Sequence, residues 1–264
     1  MPFGFLKQRR RRKITAKPFP AEWRSIITRK VPIFRCLPPA DQIELLGHVQ
    51  VFLDEKRFEG CDGLKLTDEI RLTIATQACL LLLHRKTDYY PQLTSILVYP
   101  SSYMAHEVRP IETHVWSEGD EPRLGHTGRR LGSLVLAWDD VRRGAANPSD
   151  GRNLVLHEFA HQLDFEDYTT DGAPALGTKA EYQSWARVMN REFVALRAAA
   201  EAGIPTVLDI YGAENPAEFF AVVTEAFFER PRALHAEHPE LYAEFARFFR
   251  QDPVQYFAEP DFND

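Results

Sequence analysis

Residues 154–165 read LVLHEFAHQLDF, so His157, Glu158 and His161 fall into the pattern His-Glu-x-x-His. On a helix the two histidines stand four residues apart. Their imidazoles leave one face a turn apart and can reach a single tetrahedral Zn²⁺ at about 2.0–2.1 Å. Glu158 is one position on and can address water at the metal without ligating it, as a general base for metal-assisted hydrolysis does. Leu156, Phe159, Ala160 and Leu163 cover the rest of the circumference, so the helix is expected in the core. Two imidazoles and a carboxylate are costly there unless partnered, and a metal is the simplest partner. The bland alternative is a buried helix whose histidines bond to backbone or to Asp164 and Asp167.

A third ligand does not follow from the same segment. Six residues after His161 comes Asp167, and Asp164 stands where the metzincin pattern has glycine, so that arrangement is excluded. The remaining solution is a glutamate from another helix. The stretch NPAEFFAVVTEAFFE carries Glu218 and Glu225 seven apart, two helical turns, among Phe, Ala and Val. Spacing alone cannot choose between them.

The elements that must hold these groups can be read from periodicity and punctuation. Ile43, Leu46, Val49 and Leu53 recur at three to four residues and predict a helix over 40–53 with those four on its buried face. Gly60 and Gly63 frame a turn around Cys61, and Thr67 is placed to cap a second helix that is apolar all round in its last turns. Short strands are expected at 95–99, weakly at 113–116, and most strongly at 132–138. Asn147 to Gly151 reads as a loop leading into the histidine segment. Helices follow over 181–200, over 217–229 behind the Asn215-Pro216 cap, and over 241–249. The remaining histidines, His84, His106, His114, His126, His235 and His238, show no repeating ligand spacing and read as surface or structural. Cys61 reads as a turn residue.

The chain has 264 residues, 44 % of them hydrophobic, enough for a sizeable core. Its 32 basic and 38 acidic residues leave a net charge of −6, which gives no general argument for direct nucleic-acid binding. Arg9 to Lys13 is a local exception and is read as part of a flexible basic arm over 1–19. No window has the roughly 18 consecutive apolar residues of a membrane span, and no secretory signal follows the basic run. Cys36, Cys61 and Cys79 are odd in number and form no CxxC pair, which suits reduced thiols and a cytoplasmic location. One domain over 20–255 is expected, with a helical layer over about 20–90 and a short tail over 256–264.

Beyond these features, the stretches FEGCDGLKLTDEIRLTIATQACLLLL, SILVYP, GSLVLAW, GRNLVLHEFAHQLD and YGAENPAEFFAVVTEAFF resemble the Mlc titration factor A family of zinc peptidases, over about residues 20 to 255. The active-site residues are in turn similar to those of anthrax lethal factor, through HEFAH and a Tyr followed seven residues later by Glu. The resemblance implies an α+β, zincin-like metallopeptidase with a small central sheet, the HExxH helix and a mainly helical surround. It implies one Zn²⁺ per chain held by His157, His161 and Glu218, with Glu158 as base and Tyr211 beside the metal as an oxyanion donor. Glu225 is left over, either to orient a ligand histidine or as a member of a buried network that supports the fold. Ser133, Leu134 and Val135 form a strand against which a peptide substrate could lie through backbone hydrogen bonds. Aminopeptidase-like activity and binding of a Mlc-like transcriptional repressor of sugar phosphotransferase genes are implied by the resemblance and not by the residues. Two rival readings stand beside it: a regulator-binding protein with a structural zinc, and a zinc hydrolase of a non-peptide amide.

Overall fold

The computed structural model describes residues 2–101 and 132–256. The strand expected at 113–116, together with His106, His114 and His126, lies outside the described residues, as does the tail from 257 onward. What is described is mostly helical around a small three-stranded parallel sheet, an α+β arrangement.

The basic run is not the flexible arm expected from its charge. Residues Pro2–Thr15 form helix α1, which packs on α4 (Pro39–Glu55). The reason is one residue, Arg11, which is only 5 % exposed. Its Nε and Nη2 donate to the two carboxylate oxygens of Glu55 at 2.7 and 2.8 Å, and its Nη1 lies 2.8 Å from Asp88 Oδ1. The guanidinium also sits 4.5 Å above the Tyr89 ring. Such a forked pair has both the charge and the geometry to dock a helix.

Helices α2 (Ala21–Lys30), α3 (Ile33–Cys36) and α4 build the layer before the sheet. Helix α4 buries Leu45, Leu46, Val49, Val51 and Phe52, whereas Ile43, assigned to its apolar face, is 70 % exposed. Of the stripe read from spacing, Leu46 and Val49 are buried and Leu53 packs against the core, so only Ile43 falls off the buried face. Strand β1 (Arg57–Gly60), unexpected from sequence, follows directly. Thr67 then caps α5 (Asp68–Leu80), its Oγ1 accepting from Ile70 N–H at 3.3 Å. Every residue of α5 from Leu72 to Leu80 is buried, as its apolar circumference requires.

The sheet order is β1-β2-β3, with β2 (Ser95–Tyr99) central and both pairings parallel. Ser95 faces Arg57 on one side and Ser133 of β3 (Ser133–Ala137) on the other. Parallel pairing demands a crossover, supplied between β1 and β2 by α5, and buries the central strand, where Ile96 and Val98 are fully covered. The third strand ends in α6 (Trp138–Ala146), so Trp138 opens a helix instead of closing the strand.

Beyond this point come α7 (Leu154–Asp164), α8 (Lys179–Ala202), α9 (Pro216–Glu229), α10 (Pro231–Glu237) and α11 (Pro239–Phe249). An aromatic stack joins the last of them to the middle of the molecule. Trp185 of α8 lies 5.1 Å from Phe245 of α11, and Phe227 of α9 lies 5.6 Å from Phe249. Among the described residues, no helix is long and apolar enough to cross a membrane.

The docking of α1 yields a contrast between neighbouring arginines. Arg11→Ala should lower the unfolding free energy by about 2 kcal/mol, because it strands the half-buried Glu55 carboxylate. Arg10→Ala, whose partner Asp54 is shared with solvent, should change it by under about 0.5 kcal/mol. Urea denaturation of the two variants checks this, and equal effects would contradict it.

Candidate metal centre

Two capped helices place the chemistry. Asn153 precedes α7, and its Oδ1 accepts from the N–H groups of Val155 and Leu156 at 3.1 Å each. From Val155 to Asp164 every residue of that helix is buried. Asn215 does the same for α9, accepting from Glu218 N–H at 3.0 Å with Pro216 in the first turn. The cap anchors Glu218 at the start of α9, and α9 packs along α7.

Across that contact His157, His161 and Glu218 converge. Glu218 Oε2 is 3.0 Å from His157 Nε2 and 3.5 Å from His161 Nε2, and the two Nε2 atoms are 3.2 Å apart. Four ligands set tetrahedrally around zinc at about 2.0–2.1 Å lie about 3.3–3.4 Å from one another, so the three atoms are spaced as such a set would be. Among the described residues this is the one group of three such side chains close enough to share an ion. The donor set, two imidazole nitrogens and one carboxylate oxygen, fits zinc in an open, three-ligand site.

The electrostatics express the same demand for positive charge. Burial opposes a charged His157, but its hydrogen bonds to Glu218 and Glu225 outweigh that and raise its pKa to about 10. Burial likewise favours a neutral Glu218, yet the bonds to His157 and His161 hold it down at about 2. With a proton as the only cation available, the cluster draws that proton to His157. A divalent cation among the three donors would supply the charge instead.

Behind the cluster lies a polar relay. Glu225 Oε1 meets His157 Nδ1 at 2.8 Å, and its other oxygen accepts from the N–H of Asn153. Glu225 thus meets His157 at Nδ1 and Glu218 meets it at Nε2, a difference between two residues that spacing left equivalent. The amide of Asn153 donates in turn to Gln77 Oε1 at 2.7 Å and Glu229 Oε1 at 2.8 Å. Asn153, Gln77 and Glu229 were not singled out from sequence. Asn153 alone carried a signal, being an N-cap residue type immediately before the apolar run.

Glu158 is buried beside the cluster, and its carboxylate makes no hydrogen bond among the described residues. Tyr211 sits in a short 3₁₀ turn (Ile210–Ala213), with its ring 6.1 Å from that of His157. Burial, together with the charges of Glu218, Glu214 and Glu158, pushes its phenol well above the usual range, so it stays protonated. Asp209 fixes the turn by accepting from Tyr211 N–H at 3.0 Å and pairing with Arg152 at 2.9 Å. At the other end of α7, Asp164 accepts from Gly172 N–H at 3.0 Å. Gly172 has φ +75° and lies so close to Pro216 that a Cβ would fall 2.3 Å from its carbonyl oxygen. Only glycine lets this loop bridge the end of α7 and the start of α9.

Ser133, Leu134 and Val135 stand on β3, which touches α7, and not among the donor atoms. Ser133 Oγ bonds to Ser95 Oγ at 2.8 Å, and Leu134 is buried.

Glu229 gives this relay a pH signature. Burial is the main cause that raises its pKa to about 8; the charges of Glu225 and Asp150 add to it, and the bonds from Asn153 and Arg152 oppose it. The folded value exceeds the unfolded one, so the fold binds this proton more tightly. Its contribution is complete below the unfolded pKa, near 4.5, and is lost as pH rises through about 8. Glu229→Gln should therefore gain stability relative to wild type as pH is raised from 5 to 9, in about that window. Denaturant midpoints that stay parallel across the range would contradict it.

Residues 5–250 match the family described as glucose-regulated metallo-peptidase M90. The chain is 39 % identical over 245 residues to an uncharacterized protein of Synechocystis sp., covering 93 % of this chain and 89 % of that one. It is 30 % identical over 228 residues to Mlc titration factor A of Edwardsiella ictaluri, covering 85 % and 86 %. With the protein of the same name from Yersinia pestis the identity is 28 % over 237 residues, covering 89 % and 86 %. The resemblance carried by HEFAHQLD and YGAENPAEFFA thus extends over nearly the whole sequence, and the chain belongs to the M90 family of metallopeptidases.

Proposed function

We propose that the chain is a zinc-dependent peptidase of zincin-like fold, with His157, His161 and Glu218 as metal ligands. The observation that carries this reading is the meeting of three donor atoms from two helices, with a buried carboxylate beside them, Glu158, that has no hydrogen bond among the described residues. A site with a purely structural metal has no use for that carboxylate.

When bound, zinc supplies Lewis acidity toward a peptide carbonyl and makes water more acidic. Glu158 accepts the proton of the attacking water on its carboxylate and returns it to the departing amine nitrogen. The Tyr211 phenol, neutral because of its surroundings, donates a hydrogen bond to the carbonyl oxygen as that oxygen gains negative charge. Glu225 holds His157 through Nδ1 and keeps Nε2 aimed at the metal. Aminopeptidase-like preference for short peptides belongs to the proposal through the family resemblance, and work in a reducing cytoplasm through the three unpaired cysteines.

Removing single groups separates these roles. Glu218→Ala should lose zinc, while Glu225→Ala should keep its stoichiometry and weaken affinity by about 10–100-fold. Glu158→Gln should retain zinc and lose about 10²–10⁴ in kcat on a chromogenic peptide. In Tyr211→Phe the loss should fall on kcat and leave KM nearly unchanged. Zinc binding with the same negligible turnover in wild type and Glu158→Gln would instead favour a non-catalytic protein.

The name of the Edwardsiella and Yersinia relatives supports a second partner, a Mlc-like transcriptional repressor. Mixed with such a repressor from the same host, the purified chain should co-elute with it in size-exclusion chromatography. Separate elution at micromolar concentrations of both would exclude a tight complex.

A further inference from the structure

A cavity of about 290 Å³ opens away from the metal cluster, between the turn after α5, the loop 175–177, α8 and the end of α11. Its wall carries four cations, Arg85, Lys86, Arg247 and Arg250, against two carboxylates, Glu181 and Glu244. The carboxylates are already engaged. Glu244 accepts from Ser184 and from Arg247 Nη1, and Glu181 accepts from Thr178 Oγ1 at 3.0 Å. Arg247 is thereby neutralised; Arg85, Lys86 and Arg250 make no side-chain hydrogen bond or ion pair among the described residues, and against the charge that Glu181 keeps they leave the wall a surplus of two positive charges.

Arg85 is the unusual one. Its guanidinium lies 4.2 Å above the ring of Phe248, and its Nη1 is buried without a hydrogen-bond partner. Glu166 attracts it at longer range, and Arg250 repels it. A buried guanidinium N–H left without an acceptor is costly, and an anionic acceptor that reached it would relieve that cost. On a chain with a net charge of −6, a concave site with a surplus of two positive charges also departs from the average surface.

We propose that this cavity binds a phosphate-type dianion, either the free ion or the phosphoryl end of a small phosphorylated metabolite. Arg85 presents its fork from a fixed, stacked position, and Lys86 and Arg250 add charge at the rim. A surplus of two positive charges suits a dianion better than a single carboxylate, and guanidinium geometry suits its paired oxygens. The volume is close to the lower end for small-molecule sites, which leaves room for a phosphoryl group with a small body. The apolar wall at Leu176 and Phe248 gives that body a surface to rest on.

The cavity is joined to the metal helix by covalent and hydrogen-bonded links. The loop that forms its wall at 175–177 is held at Gly172 by Asp164 of α7 and by Trp185, whose Nε1 donates to the Gly172 carbonyl at 2.9 Å. Binding at this site does not depend on the peptidase reading and is tested without turnover.

Calorimetric titration of the full chain at constant ionic strength, with inorganic phosphate, glycerol phosphate and acetate, tests the proposal. Saturable one-site binding of a phosphate probe is expected, weakened about tenfold or more in Arg85→Gln and in Arg250→Gln, with zinc content unchanged. Arg250 is exposed, so its variant serves even if Arg85→Gln fails to fold. Tighter binding of glycerol phosphate than of phosphate assigns the ester as ligand, and equal binding assigns the free ion. Absence of saturable binding by both phosphate probes, acetate binding as tight as phosphate, or undiminished affinity in Arg250→Gln would overturn it.

Discussion

Two imidazole nitrogens and a carboxylate oxygen lie within 3.5 Å of one another in the core, and they can stay there only around a shared positive charge. All three side chains are buried, so solvent alone does not supply that charge. A proton on His157 satisfies part of the demand, which is why that histidine's proton affinity is raised despite burial. A divalent cation satisfies all of it, because each of the three atoms then gives a lone pair to one centre. This requirement accounts for a cluster of ionisable side chains on a helix that is buried from Val155 to Asp164.

The rest of the described structure keeps α7 and α9 at the separation this centre needs. Asparagine caps set where each helix begins, and Asn153 also ties the start of α7 to Glu225, Glu229 and Gln77. Gly172 closes the opposite end, where the loop after α7 passes against the first residue of α9. The aromatic stack among α8, α9 and α11 presses α9 from outside, with Phe220, Phe227 and Phe245 each almost wholly covered. The His157, His161 and Glu218 side chains therefore sit on two helices fixed at their starts by asparagine caps, and Tyr211 arrives on a turn braced by Asp209.

Much of this was legible in the sequence because it is local. His157, Glu158 and His161 belong to one helical turn, and the Asn215-Pro216 cap announces the helix that bears Glu218. Thr67 and the strand at 95–99 are read equally well, since both depend on neighbours in the chain. Choosing Glu218 over Glu225 needed the family pattern, because the choice depends on how α9 rolls against α7, a long-range contact with no local signal. The same holds for Asn153 and Glu229, whose partners lie more than seventy residues away. Strand β1 was missed because its four residues, RFEG, have no alternation to reveal them, and α6 because Trp138 ends a strand pattern as plausibly as it starts a helix. Charge density misled the reading of α1, where one buried arginine outweighs four solvated neighbours. Ile43 misled the reading of α4 because it shares the period of Leu46 and Val49 yet falls off the buried face.

The central claim is that the donor atoms of His157, His161 and Glu218 make one zinc site. Anomalous diffraction at the zinc edge from crystals of the zinc-loaded chain tests it most directly. The account predicts a single peak per chain, with His157 Nε2, His161 Nε2 and a Glu218 oxygen each within about 2.0–2.2 Å and Glu225 held back against His157 Nδ1. A peak ligated by Glu225 in place of Glu218, or one lying away from the two histidines, would contradict it.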